Sequence, residues 1–379
     1  MTASMQNGEN MYPKLIRLMT KEDWVHTGEF IKEYFHPRYI LLNRKFFDWQ
    51  YQHNPYGKAG KFSFKIADTG GRFLGFLGFV PYQLMVAGST HVSAGALCNF
   101  MIRKDCRALG FGSLFIRDME NDFQIIWGTG YNEKTAPMYE KMGWRLMGNV
   151  HRYIKVLDSK RMAQFTYGTE FNGVSPFEDS FCSLPSRRHA VTKTERFGEE
   201  IEALGQRLSG KYPIAVERRT DYLNWRYADH PKFRYSILVS RKGKAVRGYI
   251  VFRLERAIEE KGSGQYLVGR IVDLMASDDA ELDLLSGAVD YIRQKGAIMA
   301  DYFCTGRFHG TTLEKLGFVR GECDVYSDIP RRLNPIDREK IAPINFVVHV
   351  NPKVLQRDLF FDINNWYITT GEGDTDRPN

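Results

Sequence analysis

The sequence contains few cysteines, and they lack the spacing that marks specialised sites. Of its 379 residues five are cysteines, with no CxxC pair and no histidine at zinc-ligand spacing. An odd number of scattered cysteines predicts reduced thiols rather than a disulfide framework or a structural metal site. We therefore expect a cytoplasmic protein that binds no metal.

Long apolar runs and blocks of like charge are also absent. No stretch approaches the roughly 20 apolar residues of a transmembrane helix, and the first residues, MTASMQNGEN, include no apolar leader segment. The net charge of +8 is spread along the chain and forms no basic tail. We expect no membrane and no nucleic-acid partner. The positive charge suits an anionic small molecule, or simply a mildly basic protein.

What the chain does contain is an internal repeat. FFDWQYQHNP around Trp49 and YLNWRYADHP around Trp225 share the frame W-x-Y-x-x-x-P, with the tryptophans 176 residues apart. Farther on, YEKMGW and LEKLGF match with Gly143 and Gly317 174 residues apart. Two matches with nearly equal offsets predict the duplication of one domain.

Each copy interleaves strands and helices in the same order, which predicts an α/β (α+β) fold class with a mixed sheet in each copy. In the first copy, the strand SAGALCNFMI leads through a glycine loop into a helix, and WRLMGNVHRYIKVL closes the unit. We place the first domain at residues 1–157, an irregular linker at residues 158–188, and the second domain with a C-terminal tail at residues 189–379.

The glycine loop of the first copy lies in RKDCRALGFGSLFIRDM. Gly110 and Gly112 leave backbone N–H groups uncovered at the start of a predicted helix, where the helix dipole is positive. Such a loop binds an anion, commonly a phosphate, although two glycines could also form only a tight turn. It is not a dinucleotide fingerprint, because Phe115 stands where a third glycine is required.

The order strand, R-x-x-G-x-G, helix, strand, then an asparagine seven residues before the tyrosine of Y-E-K-x-G-W, resembles the GCN5-related N-acetyltransferases. The resemblance covers roughly residues 14–155 and, more faintly, residues 189–330. It implies two tandem domains of that fold, each a mixed, mostly antiparallel twisted sheet flanked by helices. It further implies an acetyl-CoA-dependent N-acetyltransferase with a primary amine as acceptor.

The resemblance assigns the pyrophosphate of acetyl-CoA to the glycine loop and its pantetheine arm to the preceding strand. The residues that it implies for cofactor binding are Phe100, Ile102, Arg107, Ala108, Leu109, Gly110, Phe111, Gly112, Ser113, Asn132 and Tyr139. Tyr139 is also the candidate acid for the departing thiolate, because a phenol is protonated at neutral pH. Asn132 could instead be only a helix cap, and Tyr139 only a core residue.

The second copy lacks the glycine loop. At the same offset the loop positions fall on Glu281, Leu284 and Ser286, within SDDAELDLLSG. This turn has no glycine at those positions and carries acidic residues that would repel a pyrophosphate. We expect one acetyl-CoA per chain, and a degenerate second domain that shapes the acceptor site or is retained for stability.

The sequence does not identify a general base. Direct attack in a ternary complex is expected, since neither Cys98 nor Cys106 has a base beside it in sequence. Asn99 is the only polar side chain near the end of the strand before the loop, and backbone N–H groups between Phe100 and Ile102 are expected to hold the thioester oxygen. The candidates for the base lie elsewhere: Asp273, on the matching strand of the second copy, and His36, His53 and His151.

The acceptor pocket is expected beside the W-x-Y helix of the first copy, with His36, Trp49, Tyr51 and His53 as substrate-binding residues. Paired domains of this kind resemble enzymes of surface-polysaccharide pathways, which implies a nucleotide-linked amino sugar as acceptor. The last residues, NNWYITTGEGDTDRPN, are most simply a frayed polar terminus. Two other functions remain open: the transfer of a longer acyl or aminoacyl group, and the sensing of acyl-CoA without turnover.

Overall fold

Two large sheets form the centre of the structure, a computed structural model that describes residues 15–35, 37, 39–179, 189–259, 265–339 and 343–377. Helices cover both sheets. They are α1 (Trp24–Tyr34), α2 (Arg44–Tyr51), α3 (Phe111–Glu120), α4 (Ala136–Lys141), α5 (Ser159–Tyr167), α6 (Glu200–Leu208), α7 (Thr220–Leu223), α8 (Asp278–Gln294) and α9 (Gly310–Lys315). None of the helices in these ranges combines the length and the apolar character that a bilayer span requires.

The strands divide between the two sheets and one short hairpin. The first sheet contains β1 (Ile16–Leu18), β2 (Phe64–Asp68), β3 (Phe73–Val86), β4 (Thr90–Ile102), β5 (Ile125–Thr129), β6 (Arg145–Asn149), β9 (Ile214–Val216), β17 (Asn345–Val350) and β18 (Trp366–Tyr367). The second contains β7 (His151–Val156), β8 (Ala190–Thr194), β10 (Ser236–Lys242), β11 (Ala245–Ile258), β12 (Gln265–Ala276), β13 (Met299–Cys304) and β14 (Val319–Arg320). The hairpin pairs β15 (Arg332–Leu333) with β16 (Ile336–Asp337).

The duplication inferred from the sequence is visible in the order of the strands. The first sheet runs β1-β2-β3-β4-β5-β17-β6, and the second runs β8-β10-β11-β12-β13-β7-β14. In each sheet a long antiparallel hairpin, β3 with β4 or β11 with β12, continues into one parallel neighbour, β5 or β13. The predicted fold class, two mixed and mostly antiparallel sheets flanked by helices, is confirmed.

The two copies exchange one strand. The segment WRLMGNVHRYIKVL, which the sequence suggested as one element, divides at Val150, whose N–H donates to Ile344 O at 2.7 Å. Its first half, β6, stays in the first sheet, whereas β7 joins the second sheet between β13 and β14. In return, β17 from the C-terminal region fills the corresponding place between β5 and β6. The domain limits drawn at residue 157 stay a prediction, but each sheet contains chain from both sides of that residue.

The stretch expected to be an irregular linker begins with a helix. The Asp158 side chain accepts a hydrogen bond from the Arg161 N–H at 2.9 Å and so caps the first turn of α5. The helix buries Met162 and Phe165 in an apolar cluster with Val268 of the second sheet. This part of the linker is therefore packed onto the second half of the molecule, and residues 180–188 lie outside the described residues.

The two W-x-Y motifs meet each other at the contact between the copies. The indole rings of Trp49 and Trp225 stack with their centroids 4.8 Å apart and their planes at 17°. Each indole N–H donates to the main-chain oxygen of the other tryptophan, at 2.9 and 3.0 Å. Because both residues are buried and the bonds are reciprocal, the repeated motif forms a pseudo-twofold interface.

We expect Trp49→Ala and Trp225→Ala each to lower the free energy of unfolding by about 3–5 kcal/mol, the usual cost of removing a buried tryptophan. Urea unfolding of both variants and of the double variant would measure this. The free energy of unfolding of the double variant should fall by less than the sum of the two single losses, because the two side chains contact each other. Val174→Ala, at a side chain that is 95% exposed, is the control and should change stability little. If replacing either tryptophan lowered the free energy of unfolding by less than about 1 kcal/mol, the stabilising role of this interface would be contradicted.

Candidate functional site

Strands β4 and β5 pair over only part of their length. Their parallel pairing extends from Ala94 with Ile125 to Leu97 with Gly128 and ends there. Strand β4 nevertheless continues to Ile102 and remains paired with β3 on its other side. Past Leu97 the β5-facing edge of β4 is therefore free of its neighbour, and an opening lies between the two strands.

The backbone amides of Phe100 and Ile102 face this opening. Arg103 N–H donates to Leu74 O on the β3 side at 2.9 Å. Successive residues of an antiparallel strand direct their N–H groups to opposite sides, so those of Phe100 and Ile102 point away from β3. The carbonyl of Ile102 already accepts a bond from Arg107 Nε at 3.1 Å. These strand-edge amides are the ones assigned above to the pantetheine arm and the thioester oxygen.

A β-bulge at Asn99 sets the direction of this strand end. The register of β3 and β4 shifts between Leu77 and Gly78, whose partners are Phe100 and Cys98, so that Asn99 is the extra residue. Its φ of 46° lies in the left-handed region, which asparagine tolerates better than most residues. Bulges of this kind redirect a strand next to a functional site.

The side chain of Asn99 is held on both sides of its amide. Oδ1 accepts bonds from Tyr39 Oη at 2.7 Å and from Arg377 Nη1 at 2.6 Å, and Nδ2 donates to Tyr51 Oη at 2.8 Å. These contacts support a positioning role for Asn99, because they fix the bulge. They do not support the transfer of protons, for which an amide is also poorly suited.

A cavity of about 470 Å³ occupies the opening and extends to the second half of the chain. The first half contributes the strand ends at residues 97–100 and 128–132, with Tyr39 and Tyr139. The second half contributes side chains of β11, β12 and β13 and the segment before β16. The C-terminal tail adds Asp374 and Arg377. The cavity is thus walled by both copies.

Tyr139 reaches the cavity from α4 and is 5% exposed. Its ring lies 5.6 Å from that of Tyr131 and 5.1 Å from that of Trp144. Burial, with a smaller contribution from Tyr131, raises the pKa of Tyr139, so its hydroxyl remains protonated at neutral pH. Asn132 lines the same cavity and also accepts a bond from the Lys134 N–H at 3.0 Å, so it is a cap and a wall residue at once.

The glycine loop lies next to the cavity. A short 3-10 turn at Lys104–Leu109 ends at Gly110, whose φ of 80° favours glycine, and α3 starts at Phe111. In the described part of the chain no side chain caps this helix start, which leaves its first N–H groups available. A Cβ on Gly112 would lie 3.5 Å from Met138 Sδ and 3.8 Å from the ring of Phe100, which also lines the cavity. The loop therefore fits a phosphate group of coenzyme A, close to the free edge of β4.

The C-terminal tail is packed, which corrects the expectation of a frayed terminus. Gly373 N–H donates to Tyr82 Oη at 2.8 Å, and the hydroxyls of Thr375 and Thr129 are 3.1 Å apart. Arg253 donates to Asp376 at 2.6 and 2.9 Å. Glu372 and Asp376 have arginine partners more than a hundred residues away in sequence, Arg218 and Arg253, a distance over which no local pattern could reveal them.

The tail supplies the carboxylate that the sequence did not identify. One guanidinium nitrogen of Arg377 donates both to Asp374 and to Asn99, so Asp374 lies beside the bulge. The other carboxylate of the cavity wall, Glu255, accepts a bond from Arg253 at 2.8 Å and lies 2.7 Å from Arg270 Nε. Both carboxylates pair with arginine, but Asp374 lies beside Asn99 at the end of β4, which makes it the better placed proton acceptor of the two.

Comparison with solved structures agrees with this geometry. The chain is similar to a GCN5-related N-acetyltransferase from Anabaena variabilis, with 13% identity and a TM-score of 0.53 over 88% of this chain and 72% of that one. The fold is that of a GCN5-related N-acetyltransferase. The structure also resembles Saccharomyces cerevisiae N-myristoyltransferase with bound myristoyl-CoA, at 12% identity and a TM-score of 0.52 over 81% of this chain and 71% of that one.

A probable N-acyltransferase from Enterococcus faecalis is similar at 10% identity and a TM-score of 0.53, over 88% of this chain and 71% of that one. A scan against models of protein families and a search of curated proteins found no match. At these identities the likeness establishes the fold that the sequence motifs predicted.

In this acyltransferase fold the W-x-Y helix does not reach the cavity, which corrects its predicted role as the acceptor wall. Trp49 is used in the contact with Trp225, and Tyr51 is fully buried behind Asn99. His53 lies exposed beyond the end of α2 and is not among the cavity residues, and His36 lies outside the described residues. The aromatic residues that do line the cavity nearby are Phe35 and Tyr39.

Asp273 and His151, two other bases proposed from the sequence, are also away from the cavity. Asp273 is fully buried and accepts bonds from Arg218 at 3.2 Å, Tyr227 Oη at 3.2 Å and Tyr249 Oη at 2.9 Å. This enclosure gives Asp273 a structural role and argues against proton transfer to a substrate. His151 lies on β7, where burial lowers its pKa, and it does not line the cavity either.

In the second copy of the acyltransferase fold, side chains occupy the space at the start of α8. Asp279 accepts a bond from Arg247 at 2.9 Å, and Glu281 lies 3.1 Å from Lys211 Nζ and 3.0 Å from His309 Nδ1. Acidic side chains with their own cationic partners thus stand at the start of α8, where the first copy has an open glycine loop. This arrangement supports a single coenzyme site in the first half.

Proposed function

We propose that this protein is an N-acyltransferase that transfers an acyl group from acyl-CoA to a primary amine by direct attack in a ternary complex. The observation that carries the proposal is the opening between β4 and β5. There Phe100 at the edge of β4, Tyr139 and Asp374 line one cavity, and the described residues provide no side-chain cap for the helix start beside it. The similarity to acyltransferases of the same fold supports it.

The residues at the opening fit acyl-CoA. The amides that follow Gly110 would hold its pyrophosphate, and the edge of β4 at Phe100 and Ile102 would align its pantetheine arm. When bound, acyl-CoA supplies an activated thioester carbonyl. We propose acetyl as the acyl group, because the same cavity must also admit the acceptor. A longer chain, as in the myristoyl-CoA of the yeast structure, is the alternative.

Separate groups of the cavity would supply the base, the donor to the thioester oxygen and the acid. Asp374 would take a proton from the attacking amine, and the Phe100 N–H would donate to the oxygen on which charge develops. Tyr139 holds a proton at its hydroxyl that can neutralise a leaving sulfur. Cys98 lines the cavity, but burial raises the pKa of its thiol well above the usual range, which favours direct transfer over an acyl-cysteine.

For the acceptor we propose an amine on a nucleotide-linked amino sugar. The resemblance to polysaccharide-pathway enzymes suggests this class, and the wall contributed by the second half is rich in arginine. The test is thiol release from acetyl-CoA and from longer acyl-CoAs, with amino sugars, their nucleotide derivatives, polyamines, amino acids and peptides as acceptors. Binding of acyl-CoA with no amine-dependent thiol release would indicate a sensor, and release without an amine followed by transfer would contradict direct attack.

Asp374→Asn should lower kcat by about 100-fold, the usual loss for a positioned base. Steady-state rates over a pH series would measure the loss. Asp358→Asn, at an exposed carboxylate outside the cavity, is the matched control. If both variants keep the wild-type rate and pH profile, Asp374 is not the base.

A further inference from the structure

The wall contributed by the second half of the chain carries an excess of positive charge. Arg253, Arg270, Arg331 and Arg332 all line the cavity there, whereas Glu255 is the acidic residue that this wall contributes. The cavity is thus more cationic than an acyl-CoA site alone would need, since the coenzyme's pyrophosphate is assigned to the glycine loop of the first half.

Two of these arginines are compensated. Arg253 lies between Asp376, at 2.6 Å, and Glu255, at 2.8 Å. Arg270 Nε is 2.7 Å from Glu255 Oε2 and its Nη2 donates to the Arg331 carbonyl, whereas its Nη1 forms no hydrogen bond among the described residues. One carboxylate, Glu255, is therefore shared by two guanidinium groups.

Arg331 is not compensated. Among the residues that the structure describes it forms no ion pair, and its Nη1 is buried without a hydrogen-bond partner. Its neighbour Arg332 is exposed and lies 3.9 Å from the nearest carboxylate oxygen, on Asp337. Burial, together with the charges of Arg152, Arg270 and Arg332, lowers the pKa of Arg331 to about 10. A half-buried guanidinium among other cations raises the free energy of the protein unless an anion accompanies it.

The backbone holds Arg331 in place. Its carbonyl accepts a bond from Arg270 Nη2 at 2.8 Å, and Arg152 donates to the carbonyls of Ile329 at 2.8 Å and Pro330 at 3.3 Å. Ile329 is buried, so the segment is anchored just before it reaches the cavity. The guanidinium therefore belongs to a fixed wall, and binding an anion there requires little ordering of the chain.

We propose that Arg331, with Arg270 and Arg332, forms a subsite that binds a phosphate group of the acceptor. The inference rests on the proposed function, because the amine of the same molecule must reach the edge of β4. The planar forks of arginine match the oxygens of phosphate in pairs, and several guanidinium groups together suit a dianion better than a single carboxylate. The acceptor class is thus a primary amine that carries a phosphate ester or a diphosphate.

Pyrophosphate binding to the full-length protein tests the subsite without turnover. Calorimetry is done with coenzyme A at saturation, so that the glycine loop is occupied. Arg331→Met should weaken pyrophosphate binding by about 10-fold or more, and Arg332→Met, at an exposed side chain that folding tolerates, by several-fold. Arg256→Met, at an exposed arginine of β11, is the matched control and should bind as the wild type does. The affinity for coenzyme A should be equal in all four proteins.

Two results would overturn the subsite. One is an unchanged pyrophosphate affinity in both Arg331→Met and Arg332→Met. The other is malonate binding as tightly as pyrophosphate, which would assign the site to carboxylates. Thermal unfolding of each variant, with and without pyrophosphate, checks the fold. Pyrophosphate should raise the melting temperature of the wild type more than that of Arg331→Met.

Kinetics separates this subsite from the proposed function and distinguishes a phosphate ester from a nucleotide. Glucosamine, glucosamine 1-phosphate and UDP-glucosamine serve as matched acceptors. Arg331→Met should raise KM for the phosphorylated acceptors by about 10-fold with little change in kcat, and should leave glucosamine unaffected. Equal KM values for all three acceptors would overturn the subsite while the transferase stands. Arg331-dependent pyrophosphate binding with no acylation of any amine would overturn the proposed function while the subsite stands.

Discussion

Tyr139→Phe is expected to lower turnover by about 100-fold while the affinity for acyl-CoA changes little, the usual scale for losing a positioned acid. The substitution removes only the hydroxyl, so the packing of the ring against Tyr131 and Trp144 is kept. Steady-state thiol release gives kcat, and calorimetry gives the affinity. Tyr131→Phe, at a neighbouring phenol that lines the same cavity, is the control and should change kcat by less than about threefold.

The pH dependence follows from the same residue. Burial raises the pKa of Tyr139, so its hydroxyl keeps its proton throughout the range from about pH 6 to 9, and the rate should not fall there through its ionisation. The rate should instead rise with pH as the acceptor amine loses its proton. Equal turnover in wild type and Tyr139→Phe would remove Tyr139 from the mechanism, and a flat pH profile would remove the need for a base.

Gly110→Asp should weaken the binding of acyl-CoA by several kcal/mol, because it places a negative charge at the helix start assigned to the pyrophosphate. Calorimetry with acetyl-CoA measures the loss, and one site per chain is expected. Gly110→Ala serves to separate the effect of backbone strain at this position from the effect of the added negative charge. A Cβ there meets no atom within 4 Å, so alanine adds only the cost of a φ of 80°, on the order of 1 kcal/mol.

Gly70→Asp is the matched control for this substitution. Gly70 has a φ of 78°, and a Cβ there likewise meets no atom within 4 Å, but it lies in the turn between β2 and β3, away from the cavity. Its substitution should leave the affinity for acetyl-CoA unchanged. Normal binding by Gly110→Asp, or two equal sites per chain, would contradict the assignment of the coenzyme to the glycine loop.

Short-range patterns in the sequence were enough to predict several features of the fold. The nearly equal offsets of W-x-Y and of the Gly-aromatic pairs indicated the duplication, and the strand order of the two sheets confirms the architecture that they predicted. The R-x-x-G-x-G loop could be proposed from the sequence because residue spacing along one turn decides which backbone groups are uncovered, and Tyr139 because of its spacing after Asn132. Such features are visible locally because a glycine conformation or a helix start involves only neighbouring residues.

Which distant segments of the chain share a surface became visible only in the folded structure. The exchange of β7 and β17 could not be predicted, because either strand has the apolar character to complete either sheet. The W-x-Y motif was expected to face a substrate, and only the other copy of the motif revealed that its aromatic face is an interface. The roles proposed for Asp374 and Arg331 could not be predicted from the sequence for the same reason. A carboxylate or a guanidinium acquires its function from charges brought close by folding, and the free energy of those contacts depends on their separation in space and not along the chain.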